Sequence, residues 1–208
     1  MDADTVWRHI HQQREALATQ LSALDDDQWE QPSLCAGWTV RDVAAHIISN
    51  PTIGWSEMVR LTPLFRLGYN EAIYRDVKRR GRAPVAEILA SFERLARSRR
   101  HVPTTTRIET LIDTLVHSQD ILRPLGLVQE MPPDAAAVAA DRTRLLAPLM
   151  GSRQIVRSVR MVATDVDWQR GRGPIVEAPM QELLMVCAGR GAHARELTGE
   201  GRDLVLAD

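Results

Sequence analysis

The 208-residue sequence predicts an α+β protein, with a helical bundle first and a small α/β domain after it. Apolar residues recur at helical spacing through most of the chain up to Leu127. After that residue the pattern changes, and the segment 155–164 alternates between apolar and polar residues as a strand does. We therefore expect residues 1–127 to form a four-helix bundle and residues 128–208 to form a small α/β domain.

The helices expected in the bundle are bounded by ordinary capping and breaking residues. A loop containing Pro32 and Gly37 precedes Thr39, which with Asp42 matches a capping box at a helix start. Pro124 stops the last helix of the bundle. In chain order we expect the four bundle helices over 3–24, 39–48, 85–99 and 105–122, and a longer, broken connection that contains an irregular helix over 58–79, disturbed at Pro63 and Gly68.

The second part of the chain has weaker and shorter signals. An alanine-rich helix is expected over 132–149, and an apolar helix over 179–188. Strands are expected over 155–164, over 174–178 and over 204–206, with a turn-rich connection around Trp168.

Composition excludes several classes of protein. The 26 Lys and Arg residues nearly balance the 27 Asp and Glu residues, so no basic excess suggests a nucleic-acid partner. No apolar run approaches the ~20 residues of a membrane span. The acidic, polar start of the chain does not look like a signal peptide. Cys35 and Cys187 are far apart in sequence and are expected to be free thiols of a reducing compartment, which indicates a cytoplasmic protein.

The most informative stretch is the helix expected over 105–122. Asp113 and His117 are four residues apart, so they lie one above the other on the helix. Glu109, Asp113, His117 and Asp120 fall within an arc of roughly 80° beside the apolar face. A carboxylate and an imidazole placed in this way can hold a divalent metal if a third ligand comes from another element.

His46, in the helix that Thr39 begins, is the natural third ligand. A single histidine among apolar neighbours is also typical of an ordinary core position, and an Asp–His pair at this spacing is also typical of an exposed helix surface. Both interpretations stay open on spacing alone. Glu109 is a reserve ligand, and Asp120 is either a partner that orients a ligand histidine or an ion-pair partner of Arg123.

The two cysteines and three of the tryptophans have simpler interpretations. Cys35 lies just before a helix N-terminus, where a thiolate is favoured, but a structural role is the preferred interpretation. Cys187 is expected in the core. Trp29, Trp38 and Trp55 are expected to pack between helices and not to form a ligand box.

Three stretches of the chain resemble the mycothiol-dependent maleylpyruvate isomerase family of the DinB-like superfamily. Residues 34–46 (LCAGWTVRDVAAH) resemble its first motif, and residues 113–126 (DTLVHSQDILRPLG) resemble its second. Residues 162–168 (VATDVDW), followed by 171–174 (GRGP) and Gly189-Arg190, resemble its small C-terminal domain.

The resemblance implies a DinB-like four-helix bundle whose metal is held by His46, Asp113 and His117. The isomerase has Glu at the position of Asp113, so the carboxylate here is one methylene shorter. Zinc is the expected ion, although a mixed nitrogen and oxygen site accepts nickel and other divalent ions as well. Three protein ligands leave an open coordination position, which is typical of a catalytic site.

The resemblance also implies a low-molecular-weight thiol, mycothiol or a similar compound, as the cofactor. A free thiol has a pKa near ~8.5, and a divalent cation favours its reactive thiolate. The expected partners are this thiol and a small electrophilic substrate. Arg82, Arg172 and Arg190 are candidates for binding carboxylates, with Arg172 and Arg190 the preferred cofactor-binding residues, and the alternative for each is a solvated surface charge.

We therefore expect a metal-dependent enzyme that is a thiol S-transferase or a cis-trans isomerase. One alternative is a non-catalytic ligand-binding or stress-protective protein on the same scaffold. Another is an interaction module that forms a homodimer through an apolar surface of the bundle. The sequence does not name the substrate, because one fold carries many chemistries.

Overall fold

The computed structural model describes residues 1–207, and the side chains of all of these except Phe65, Leu67 and Tyr69. Contacts between residues divide the chain into two compact units, Asp2–Gln129 and the residues that follow Gln129. The first unit is helical, and the second contains helices and a three-stranded sheet. The predicted fold class is therefore confirmed, whereas the domain limits 1–127 and 128–208 stay a prediction.

The α-helices of the first unit include the predicted segments in order, with ends that differ by a few residues, and a short helix over 26–30 that was not predicted. They are α1 (Ala3–Leu21), α2 (Asp26–Glu30), α3 (Val40–Ser49), α4 (Trp55–Leu61), α5 (Tyr69–Arg80), α6 (Val85–Leu95) and α7 (Arg107–Leu122). The irregular helix expected over 58–79 is two helices, α4 and α5, with a 3₁₀ segment, Thr62–Leu67, between them.

Four of these helices form the bundle. Helix α1 packs against α6 and α7, and α3 packs against the same two helices. The bundle core is made of aliphatic and aromatic side chains that are almost fully removed from solvent, among them Ile10, Leu17, Leu21, Val43, Ile47, Ile88, Phe92, Leu111 and Leu115. Burial of these side chains is the main stabilisation of the unit, and it fixes α3 and α7 side by side.

The start of α3 is fixed by short-range contacts. Thr39 Oγ1 accepts from the backbone N–H of Asp42 at 3.3 Å, and Asp42 Oδ2 accepts from the backbone N–H of Thr39 at 3.0 Å, which confirms the predicted capping box. Lys78 of α5 donates to Asp42 Oδ2 at 2.5 Å. A Cβ atom on Gly81 would lie 1.9 Å from Asp42 Oδ1, so only glycine lets the end of α5 pack this close to the cap.

The second unit has short helices around a small sheet. Its helices are α8 (Pro133–Leu145), α9 (Ala147–Met150), α10 (Ile155–Ser158), α11 (Met180–Cys187) and α12 (Arg202–Leu206), and its strands are β1 (Arg160–Ala163), β2 (Gln169–Gly171) and β3 (Ile175–Ala178). The strand order is β2-β1-β3, with β1 antiparallel to β2 and parallel to β3. Met161 pairs with Arg170 on one side and with Val176 on the other.

Small residues allow the helices of this unit to pack closely. Helix α8 buries four alanines and packs against the apolar helix α11. Cys187 at the end of α11 is buried, as predicted, and burial raises the pKa of its thiol to about 12. Both cysteines of the chain are free. None of the helices in the described residues has the length and hydropathy of a membrane span.

Two predictions for the second unit are wrong. The segment 155–158 is a helical turn and not the start of a strand, so β1 begins at Arg160. The segment expected as a last strand, 204–206, belongs to helix α12. Alternating or short apolar patterns of three or four residues fit one helical turn as well as one strand, which explains both errors.

Candidate metal centre

Helices α3 and α7 bring together the three residues that the sequence proposed as metal ligands. His46 Nε2 lies 3.0 Å from Asp113 Oδ1, and His117 Nε2 lies 3.5 Å from the same oxygen. The side chains are 15–18% exposed, so they lie just below the surface of the unit. His46 is about two turns from the capping box of α3, and Asp113 and His117 are one turn apart on α7.

The geometry and the donor types fit a divalent cation. One atom from each of the three residues lies within 4.8 Å of the other two. An ion with bonds of about 2.0–2.2 Å to nitrogen and oxygen has tetrahedral ligand atoms about 3.3 Å apart. A shift of a few tenths of an ångström to about one ångström in side-chain position would therefore bring these three residues around one ion.

The second oxygen of Asp113 is held by a residue that sequence reasoning missed. Asn50, which follows α3, donates from Nδ2 to Asp113 Oδ2 at 2.6 Å. This bond leaves Oδ1 directed at the two imidazoles and fixes the carboxylate plane. No pattern on either helix distinguishes Asn50, because its role depends on how α3 and α7 pack.

Asp120 orients the imidazole of His117. Its Oδ2 lies 2.7 Å from His117 Nδ1, and the carboxylate is fully buried. With Nδ1 donating to Asp120, the lone pair of His117 is on Nε2, the atom that faces Asp113. The structure thus places Asp120 in the orienting position that the sequence proposed, and Arg123 donates to Gln119.

Cys35 lies beside this site, and its preferred structural interpretation stays a prediction. Its Sγ donates to Asp120 Oδ2 at 3.1 Å and lies 3.6 Å from His117 Nδ1. The loop that carries it is attached to α7, because the backbone N–H of Leu34 donates to the carbonyl of Asp120 at 3.0 Å. Cys35, His117 and Asp120 form a second group with metal-ligand atoms, on the Nδ1 side of the ring.

The three tryptophans that were expected to pack between helices have three different environments. Trp38 forms a wall of the site, with its ring centroid 5.5 Å from that of His46 and 6.0 Å from that of His117. Trp29 is buried in the bundle core, as predicted. Trp55 is 68% exposed, so the prediction that it packs between helices is wrong.

The charges of the site favour an ionised carboxylate. Burial opposes ionisation of Asp113, but the nearby His46, His117 and Arg14 outweigh it and lower the pKa of Asp113. Burial likewise opposes the charged form of His46, but attraction and a hydrogen bond to Asp113 raise the pKa of His46 overall. A cation would compete with a proton for His46 and would find Asp113 already negative.

Arg14 of α1 is a second residue that the sequence analysis did not select. Its side chain is fully buried, and its charge interacts with that of Asp113. An arginine on the buried side of a helix was a signal that could have found it, because such residues are rarely buried without a partner.

The remaining candidates are Glu109 and three arginines. Glu109 is not a ligand of this site, because its Oε2 accepts from the backbone N–H and the hydroxyl of Thr106 in the capping box of α7. Arg82 is exposed, just after α5. Arg172 and Arg190 belong to the second unit, where Arg172 is exposed in the turn after β2 and Arg190 donates to the carbonyl of Ala188.

Comparison with known proteins identifies the family. Residues 10–122 match the family described as the mycothiol maleylpyruvate isomerase N-terminal domain, which is more than half of the chain. No curated protein matches. A crystal structure of a mycothiol-dependent maleylpyruvate isomerase has 15% sequence identity and a TM-score of 0.61, over 96% of this chain and 93% of that chain.

A histidine-to-alanine variant of a mycothiol-dependent maleylpyruvate isomerase matches in the same way, at 14% identity and a TM-score of 0.61. At this identity the likeness shows a shared fold over nearly the full length of both chains. The match to the family itself covers α3 and α7, the helices that carry the three candidate ligands. This chain belongs to the mycothiol maleylpyruvate isomerase N-terminal domain family.

Proposed function

We propose that this protein is a metal- and thiol-dependent enzyme that isomerises a small electrophilic substrate, with mycothiol as the thiol. The observation that carries the proposal is the arrangement of His46, Asp113 and His117 around one point, with Asp120 fixing the tautomer of His117. The family and the fold add support, because the structural relatives are named mycothiol-dependent maleylpyruvate isomerases.

In this proposal His46, Asp113 and His117 hold a divalent cation, most simply zinc. A bound cation of this kind lowers the pKa of a thiol that enters the site, so that the thiolate is present at neutral pH. Asn50 and Asp120 hold the carboxylate of Asp113 and the imidazole of His117 in one orientation. The ring of Trp38 lies close to both imidazoles.

The chemistry consists of addition, rotation and elimination. The sulfur forms a bond to one alkene carbon of a cis-enedioate, and the electron pair of the double bond moves onto the conjugated carbonyl as an enolate. The former double bond is now single and rotates. The enolate then expels the thiolate, the carbon–sulfur bond breaks, and the trans alkene forms with the thiol regenerated.

S-transfer uses the same first step but ends with the sulfur still bound to carbon, so the product distinguishes the two reactions. The test is to purify the chain without chelator, measure its metal content by elemental analysis, and incubate it with mycothiol and maleylpyruvate. We expect about one divalent ion per chain and a trans product that requires the thiol.

Three variants make the test specific. His46→Ala and His117→Ala should each abolish both metal binding and turnover while circular dichroism shows an intact helical fold. His193→Ala, an exposed histidine of the second unit, is the matched control and should change neither. Metal content that survives both site variants would overturn the proposed site, and a metal-loaded protein without thiol-dependent turnover would favour a ligand-binding function.

A further inference from the structure

Arg14 is a buried cation that the proposed chemistry does not use. It lies in the middle of α1, on the face that packs into the bundle, and none of its side chain is exposed. Among the described residues, no acceptor forms a hydrogen bond with Nε or with either terminal nitrogen of its guanidinium group. A buried guanidinium with five unmatched N–H donors is costly, so the fold keeps it for a reason other than packing.

Asp113, an acid whose charge acts on Arg14, does not supply the missing acceptor. Helix α1 packs along α7, and the charge of Arg14 interacts with that of Asp113. Asp113 Oδ1 lies against His46 and Oδ2 accepts from Asn50, and neither oxygen accepts a hydrogen bond from Arg14. Burial lowers the pKa of Arg14 to about 10, against the attraction of Asp113, so the group stays positively charged at neutral pH.

A second buried donor lies on the neighbouring helix. Thr110 and Ser118 of α7 satisfy their hydroxyl groups by donating to the carbonyl four residues earlier in the helix. Thr114, between them and next to Asp113 in the chain, has a fully buried hydroxyl that forms no hydrogen bond within the described part of the chain. Two buried polar groups on the packed helices α1 and α7, the guanidinium of Arg14 and the hydroxyl of Thr114, thus lack an acceptor among the described residues.

The charge of the site indicates what that acceptor is. A divalent cation bound by two neutral imidazoles and one carboxylate leaves a net positive centre, and Arg14 adds a further positive charge. A planar guanidinium matches a carboxylate with two parallel hydrogen bonds, which no neutral group does as well. A carboxylate brought by a ligand would satisfy the donors of Arg14 and neutralise the centre at once.

We propose that Arg14 is a substrate-binding residue that receives a carboxylate of the electrophile at the metal centre. This inference rests on the proposed function, because it places the electrophile in the same site. The residue selects an anionic substrate over a neutral one of the same shape. The thiol is the other molecule that enters the site, and its binding should not depend on Arg14.

The test compares two ligands of the same shape and different charge. Maleate carries two carboxylates, and maleamide is its neutral diamide. Their binding to metal-loaded protein is measured by calorimetry for the wild type, Arg14→Met, Arg14→Lys and the control Arg8→Met, which removes an exposed arginine of the same helix. Metal content is measured for each protein.

We expect the wild type to bind maleate more tightly than maleamide. Arg14→Met should weaken maleate binding about 10- to 100-fold, the range for a lost hydrogen-bonded charge, with maleamide, mycothiol and metal binding unchanged. Arg14→Lys, which keeps the charge but loses the planar fork, should lie between the two, and Arg8→Met should match the wild type.

Two results would overturn the inference. One is equal binding of maleate and maleamide by the wild type, which needs no variant to fold. The other is an Arg14→Met variant whose affinity for maleate equals that of the wild type, or whose affinity for mycothiol is reduced. Repeating the maleate titration after chelation separates this inference from the proposed function, since the difference between wild type and Arg14→Met should persist without metal.

Discussion

His117 is the residue where the most interactions of the site meet. One ring nitrogen faces Asp113, the other binds the buried carboxylate of Asp120, and Trp38 lies against the ring. Cys35 donates to the same oxygen of Asp120. Because the buried carboxyl group of Asp120 accepts from Nδ1, it holds His117 in one tautomer and one ring orientation.

Asp120→Asn should weaken metal binding about 10- to 100-fold without unfolding the protein. An asparagine oxygen still accepts a hydrogen bond from Nδ1, but it lacks the negative charge of a carboxylate beside the proposed cation site. The affinity is measured by competition with a colorimetric chelator. Asp203→Asn, an exposed position on α12, is the control, and an affinity equal to that of the wild type would contradict the orienting role of Asp120.

The ion pair of His46 and Asp113 makes the stability of the metal-free protein depend on pH. The pKa of His46 is raised, so its contribution is complete below its unfolded pKa and is lost as the pH rises through its folded pKa. The pKa of Asp113 is lowered, so its contribution is lost only as the pH falls below the ordinary range of an aspartate. Arg80 and Asp76 of α5 also act on His46, with opposite signs.

In chelator-treated protein, raising the pH through the folded pKa of His46 should therefore reduce the free energy of unfolding, by on the order of 1 kcal/mol. Urea denaturation at a series of pH values measures this. His46→Gln, which cannot titrate, should lose the step. A wild-type profile that is flat above neutral pH would contradict the assignment.

Single residues also show how far the sequence could predict the site. The pairing of Asp113 with His117 was predictable because the two residues are separated by one helical turn, a local relation. The places of Asn50 and Cys35 beside them were not, because each depends on packing of one element on another, whereas Arg14 could have been found from its position on the buried face of α1. The same locality explains Glu109, whose spacing on α7 fits a ligand as well as it fits the capping position it occupies.

At the scale of single elements, α3 is positioned by its first turn. The capping box satisfies backbone N–H groups that no helical carbonyl can reach, and Lys78 and Gly81 bring α5 against the same cap. The sequence predicted this box because its residues are three positions apart. The fixed start of α3 sets the rotation of the helix and hence the direction of His46.

Thr39→Ala should reduce the free energy of unfolding by about 1 kcal/mol, because the N–H of Asp42 loses its acceptor. For a protein of this size, the corresponding fall in Tm is about 2–4 °C. Thr19→Ala, an exposed threonine within α1, is the control and should leave stability nearly unchanged. Equal stability of both variants would mean that the cap does not determine the start of α3.

At the scale of the whole molecule, all three candidate ligands belong to the first of the two units. The bundle was predictable because long helices repeat their apolar pattern over several turns. The second unit was less predictable from the sequence, because its strands have three or four residues and its shortest helices have four or five. Patterns of that length do not distinguish a strand from a helical turn.

A cation that binds only the folded bundle should stabilise it by mass action. At 100 times the dissociation constant the gain is about 2.7 kcal/mol. Calorimetric unfolding of chelated and zinc-loaded protein should therefore show a higher Tm in the loaded sample, and His46→Ala should remove the difference. A zinc-dependent shift that persists in His46→Ala would place the ion elsewhere in the chain.

The position of Trp38 gives the protein an optical reporter of its own. Its indole lies within 6.0 Å of both imidazoles, measured between ring centroids. Indole emission is quenched by a protonated imidazole and by ions with unfilled d shells, whereas zinc leaves it bright. The emission of Trp38 is the difference in fluorescence between the wild type and Trp38→Phe. Its intensity would therefore report which ion is bound at the centre, and would distinguish nickel or cobalt from zinc without any added dye.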